Sequence, residues 1–177
     1  MPAAKVVIVT PAPPGSRAGN RKTAIRWAQF LRDFGCRVSV LTQWAGEPCD
    51  LLVALHARKS HDALRALRKS HPDRPAVLAL TGTDIYRDIR QDKDAAASLE
   101  MATRLIVLQK EALEELTPKQ RRKARVIHQS VTSSLVPVPP VRKFRLCVLG
   151  HLREEKDPFC AARALRWVPD SHVEIIQ

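Results

Sequence analysis

Short continuous apolar runs alternate along the chain with stretches in which apolar residues recur every three or four positions. Lys5 to Thr10 (KVVIVT), Arg37 to Thr42 (RVSVLT), Asp50 to Leu55 (DLLVAL), Pro75 to Leu80 (PAVLAL) and Arg104 to Leu108 (RLIVL) read as strands covered on both faces, as in a parallel sheet. Arg125 to Ile127 adds a short sixth. Between them, Arg21 to Phe34 carries Ala24, Trp27, Ala28 and Leu31 at helical spacing, with Gly35 as the stop. Ser60 to Ser70 turns Ala63, Leu64 and Leu67 inward, and Asp94 to Ala102 and Lys110 to Leu116 complete the helices. Gln43 to Cys49 is a polar connection. This rhythm predicts a Rossmann-like, doubly wound α/β sheet over residues 1–131, with ligands at the carboxyl ends of its strands.

The pattern breaks at residues 132–143, where TSSLVPVPPVRK packs three prolines into a stretch without periodicity, the composition of a linker. It then restarts. Phe144 to Leu149 is a strand, Gly150 to Lys156 a loop, Pro158 to Trp167 a helix and His172 to Ile176 a strand. One such β-α-β unit in residues 144–177 is too small to close a core, so either the unit packs onto the first domain or, the favoured expectation, the chain is a fragment holding the start of a second Rossmann-like domain.

Chemistry concentrates in the loops. After the first strand, Gly15, Ser16, Arg17, Gly19, Asn20 and Arg21 bring backbone N–H groups and guanidinium groups to a helix start, a geometry suited to an anion. The alternative is a Pro/Gly turn that only reverses the chain. Lys22-Thr23 is no P-loop, because Arg21 stands where that motif needs Gly, and GxGxxG fails with only Gly15 and Gly19 present. Thr81, Gly82, Thr83 and Asp84 either cap the next helix or bind sugar and phosphate oxygens. His56 and His128 fall on the same strand edge, as ligand groups or as structural histidines. Gly150, with His151, Arg153 and Lys156 just before a helix, forms either a diphosphate clamp or a solvated charge run.

Composition narrows the classes. A net charge of +12 attracts phosphate-bearing partners, but aromatic residues are only 5% of the chain and the cations are spread through every helix, which argues against nucleic acid. No apolar run reaches the roughly 18 residues of a membrane span, and the start lacks a signal-peptide pattern, so the cytoplasm is expected. Cys36, Cys49, Cys147 and Cys160 have no metal-knuckle or redox spacing, and the histidines form no metal array, so neither a metal nor a cofactor is expected. Self-association into a homo-oligomer stays open.

The strings VTPAPPGSRAGNR, DLLVALHARKS, LALTGTDIYRD, RLIVLQ, ARVIHQS and CVLGHLREEKDP resemble the retaining GT-B glycosyltransferases, and within them the selenosugar synthases of selenoneine biosynthesis. The resemblance runs along nearly the whole chain. It implies two facing Rossmann-like domains and transfer of N-acetylglucosamine from UDP-N-acetylglucosamine to selenophosphate. By position, Lys156 holds the donor diphosphate; His151 stands where most relatives have arginine, so Arg153 takes that cationic role beside Gly150. Gly15 to Arg21 and Thr81 to Asp84 face the acceptor, with His56, His128, Gln129 and Ser130 as further site residues. Thr81 replaces a histidine common among relatives. The paired glutamates that bind the donor have no counterpart before Gln177, so little transfer is expected of these 177 residues alone. The competing readings are a non-catalytic module for a phosphorylated ligand or a protein partner and, less favoured, a basic nucleic-acid-binding domain.

Overall fold

In the computed structural model of the protein, the apolar runs become parallel strands: β1 (Lys5–Val9), β2 (Arg37–Leu41), β3 (Leu51–Leu55), β4 (Ala76–Leu80), β5 (Arg104–Val107) and β6 (Ala124–Val126). The structure describes residues 3–130, 144–150, 157–168 and 173–176. The chain divides into two units, residues 1–131 and 132–177. In the first, the strands lie in the order β2-β1-β3-β4-β5-β6, all parallel. This is a Rossmann-like α/β fold.

Period-two alternation sorts each strand between two cores. Val6 and Ile8 of β1, Val53 and Leu55 of β3 and Ala79 of β4 face helix α1 (Gly19–Asp33), which buries Ala24 and Ala28 against them. Val7, Val9, Leu52, Ala54, Leu78, Leu80, Leu105 and Val107 face the other way. There they meet Leu64 and Leu67 of α2 (His61–Ser70) and Leu99 of α4 (Lys93–Met101). Helices on both faces make the sheet doubly wound.

Helix boundaries follow their caps. Helix α1 begins at Gly19, so Gly19 and Asn20 belong to its first turn instead of the preceding loop. The Asp92 side chain accepts from the Ala95 N–H and starts α4 one residue earlier than the apolar pattern indicates. Between Thr83 and Asp92 lies a π-helical turn, Asp84–Asp88, that runs into the single turn α3 (Ile89–Gln91). The pattern of apolar residues announces neither. The expected helix from Lys110 to Leu116 is a 3-10 turn, Glu111–Glu115, followed by α5 (Pro118–Arg122). The break occurs because Thr117 and Gln120 form a capping box and Pro118 occupies the first helical position.

The second unit contains β7 (Phe144–Cys147) and β8 (Val173–Ile176), paired in parallel, with the short helix α6 (Cys160–Ala164) continued by a 3-10 turn, Leu165–Trp167. Phe144 and Trp167 are 67% and 76% exposed, so among the described residues this β-α-β unit has no closed core.

Leu64 is fully buried between α2 and the sheet. Its replacement by alanine is expected to cost about 2–5 kcal/mol, read as a lowered urea midpoint.

Candidate functional site

At the carboxyl edge of the sheet, on the α1 side, a groove of about 380 Å³ is lined by Gly19, Asn20, Lys22, Thr23, Arg26, Thr81, Leu108, Gln129 and Ser130. Four separate stretches meet there, and the strand period explains two of the contributions. Ala79 and Ile106 pair across β4 and β5 and face α1; Thr81 and Leu108 stand two residues further on and therefore point the same way. Helical spacing explains a third, since positions 19, 22, 23 and 26 share one flank of α1. The fourth is drawn in by a hydrogen bond, the Gln129 amide donating to the Thr23 hydroxyl at 3.0 Å.

The groove is cationic, and among the described residues no carboxylate lines it. Among the described residues, neither the Lys22 ammonium nor the Arg26 guanidinium has a hydrogen-bond or ion-pair partner. The first turn of α1 has no side-chain cap: Ala18 precedes it, and the Ser16 hydroxyl accepts from the Ala18 N–H instead. Gly15, at φ +80°, makes the turn that leads in. Near this junction Arg21 Nη1 and the hydroxyl of the fully buried Thr10 are enclosed without hydrogen-bond partners.

The other residues singled out from the sequence are placed differently. Gly15, Ser16, Arg17 and Arg21 precede or flank the helix start without lining the groove. Asp84 is not available to a ligand: it is fully buried, and its carboxylate accepts from the backbone N–H groups of Ala57, Thr81 and Gly82 at 2.7–3.1 Å. It ties the loop after β3 to the loop after β4, so of the Thr81–Asp84 stretch only Thr81 reaches the groove wall. Gly82 and Thr83 lead into the π-helical turn.

His56 is likewise turned inward. It is 4% exposed, sits at φ +79°, accepts the Lys59 N–H at Nδ1 (3.4 Å) and places Nε2 3.9 Å from Asp88 Oδ2, beyond hydrogen-bond reach. Asp88 is flanked by Arg58 and Arg87, with Nε–O distances of 3.2 and 3.1 Å. Burial holds the His56 imidazole below its ordinary 6.5, against the opposing pull of Asp84 and Asp88. His128 is exposed and does not line the groove, whereas its neighbours Gln129 and Ser130 do. Gly150 is exposed in the second unit; His151, Arg153 and Lys156 lie outside the described residues.

Arg26 and Leu108 are lining residues that motif reading passed over, and Lys22 and Thr23 entered it only as a failed P-loop. Their signal is spacing, i+3, i+4 and i+7 from Gly19 on α1, and period two along β5.

No protein-family model matches the chain, and neither does any curated protein. Fold and site define a Rossmann-like α/β domain with a cationic groove at the carboxyl edge of its sheet. Among the described residues no helix is long and apolar enough to cross a membrane, and no group of three or more His, Cys, Asp or Glu is placed to hold a metal ion.

Asp84→Ala orphans three backbone N–H groups and is expected to destabilise the chain by about 3 kcal/mol, with faster amide exchange at Ala57, Thr81 and Gly82. His56 contributes a pH dependence of definite sign. Its folded-state pKa lies below its unfolded one, so the unfolded chain binds the proton first and stability falls as pH drops below about 6.5. His56→Asn, which tolerates positive φ, is expected to flatten that part of the denaturation-versus-pH curve.

Proposed function

We propose that the protein is the acceptor-side part of a glycosyltransferase that joins N-acetylglucosamine from UDP-N-acetylglucosamine to selenophosphate. The single observation that carries this reading is the α1 groove. It is small and cationic, has no carboxylate among its described lining residues, and gathers residues from the ends of β4, β5 and β6 around the start of α1. Lys22, Arg26 and the uncapped first turn of α1 suit a compact oxyanion. The sequence resemblance supplies the sugar, the donor and the selenium.

The protonation chemistry of the groove favours an acceptor that arrives already ionised. A sugar hydroxyl needs a general base within hydrogen-bond reach. The described groove offers Thr81, Thr23, Ser130, Asn20 and Gln129, none of them basic, while His56 is buried away from it. A selenophosphate anion needs no such base. Its selenium attacks the anomeric carbon, a carbon–selenium bond forms, and the bond to the UDP oxygen breaks with its electron pair leaving on UDP. In this reading Lys22 and Arg26 hold the acceptor phosphate by charge-assisted hydrogen bonds, and Thr81 and Asn20 position it. Lys156 and Arg153, with Gly150 and His151, take the departing diphosphate as the resemblance implies. The same groove serves a non-catalytic module that binds a phosphorylated ligand; product formation separates the two.

Mass spectrometry of a longer chain, in which these 177 residues are joined to a whole donor-binding domain, given UDP-N-acetylglucosamine and selenophosphate, thiophosphate or phosphate, is the test. The expected product carries the sugar on selenium, as the Se-glycosyl selenophosphate or, once water cleaves its P–Se bond and releases phosphate, as the selenosugar, formed in preference to a phosphate adduct. Absence of any sugar transfer, with selenophosphate still bound, leaves the binding module. Arg26→Ala is expected to raise the acceptor KM roughly 10-fold or more, the equivalent of about 1.5–3 kcal/mol for one charged hydrogen bond, with the donor KM unchanged.

A further inference from the structure

A second groove lies on the opposite face of the same sheet edge, and the reading above does not use it. It measures about 920 Å³, in the range of small-molecule sites. Strands β2 and β3 flank β1 on either side, so the chain leaving β1 runs to α1 on one face and the chain leaving β3 runs to α2 on the other. The β1/β3 boundary is therefore the topological switch point, where open α/β sheets of this strand order leave a crevice. Pro11, after β1, and Lys59 and Ser60, after β3, border the groove at that point.

The lining divides by chemistry. Val9, Ala63 and Ala66 are the aliphatic part of the lining, with Val9 and Ala63 nearly enclosed and Ala66 half-buried and accessible. Trp44 also lines the groove; it is 7% exposed and held by its Nε1–H donating to the Glu47 carbonyl at 2.9 Å and by an edge contact with His71. Cations stand at both ends. Lys59 precedes α2 at the sheet edge and Lys69 lies in the helix's last turn, roughly 15 Å apart at the helical rise of about 1.5 Å per residue. Among the described residues neither ammonium has an ion-pair partner, whereas Arg65 is matched by Asp62 at 2.8 Å. Thr42 and Gln43 add neutral hydrogen-bonding groups.

An anionic head at Lys59, an apolar planar body along Ala66 and polar groups between them describe one ligand class. We propose that this groove binds a nucleoside monophosphate, with the phosphate at Lys59 and the base against Ala66 toward Trp44. The site is separate from the α1 groove and stands whether or not the chain transfers a sugar.

Calorimetric titration of the full chain with adenosine monophosphate, adenosine and inorganic phosphate tests it. The expected result is that the nucleotide binds at least 10-fold more tightly than either part. Lys59→Ala and Ala66→Glu are expected each to weaken nucleotide binding at least fivefold, and Arg26→Ala, in the other groove, to leave it unchanged. The Lys59 and Ser60 amide resonances should shift on titration. Binding lost in Arg26→Ala but kept in Ala66→Glu would place the nucleotide in the α1 groove and overturn the proposal. So would phosphate binding as tightly as the nucleotide, or no nucleotide binding at all. Circular dichroism of Ala66→Glu separates groove blocking from misfolding, and Lys59→Ala, at an exposed position, gives the same answer without that risk.

Discussion

The buried carboxylate of Asp84 is the interaction on which the edge of the sheet depends. Two strands, β3 and β4, end side by side, and each must release its backbone donors into a turn. Asp84 accepts from Ala57 after β3 and from Thr81 and Gly82 after β4, so one side chain satisfies donors from both loops. Unpaired buried N–H groups are costly, which gives the arrangement little freedom to rearrange. Its consequence is functional. With the Thr81 and Gly82 backbone held, Thr81 keeps the face that the strand period assigns it, and the groove beside α1 retains its wall.

His56 belongs to the same assembly. A non-glycine residue at φ +79° costs of the order of 1–3 kcal/mol and persists only where its surroundings hold it. Here the backbone N–H of His56 still bonds to Ala79 in the ladder, its carbonyl accepts from Ser60, and its ring accepts from Lys59. The sharp turn that results sends the chain directly from β3 into α2. That places Lys59 and Ser60 at the β1/β3 boundary and opens the larger groove on the α2 face. One sheet edge thus presents two cationic grooves, one on either face, divided by the loops that Asp84 and His56 brace.

The fold was legible because it rests on local periodicity. Uninterrupted runs such as KVVIV and LLVAL can be buried on both faces only within a covered parallel sheet, and each described strand lies within a residue or two of its run. The helices were legible where an apolar stripe was long, as in α1 and α2. They were missed where hydrogen bonding set the structure: the π-helical turn at Asp84–Asp88 has too few apolar positions to show a period, and α5 is defined by a Thr117–Gln120 capping box.

The amino-acid sequence by itself determined the α/β alternation, the positive charge and the loops at which a ligand would meet the chain, because each follows from nearest-neighbour pattern and residue type. Tertiary structure decided which members of those loops face outward. Thr81 and Asp84 are three residues apart in one loop, yet one lines a groove and the other is fully buried, because only the neighbouring β3 loop supplies the third N–H donor that draws the carboxylate in. Gln129 and Thr23 lie 106 residues apart and meet only because β6 and α1 reach the same edge of one sheet. Such pairings carry no local signature, since they arise from strand order and not from spacing along the chain.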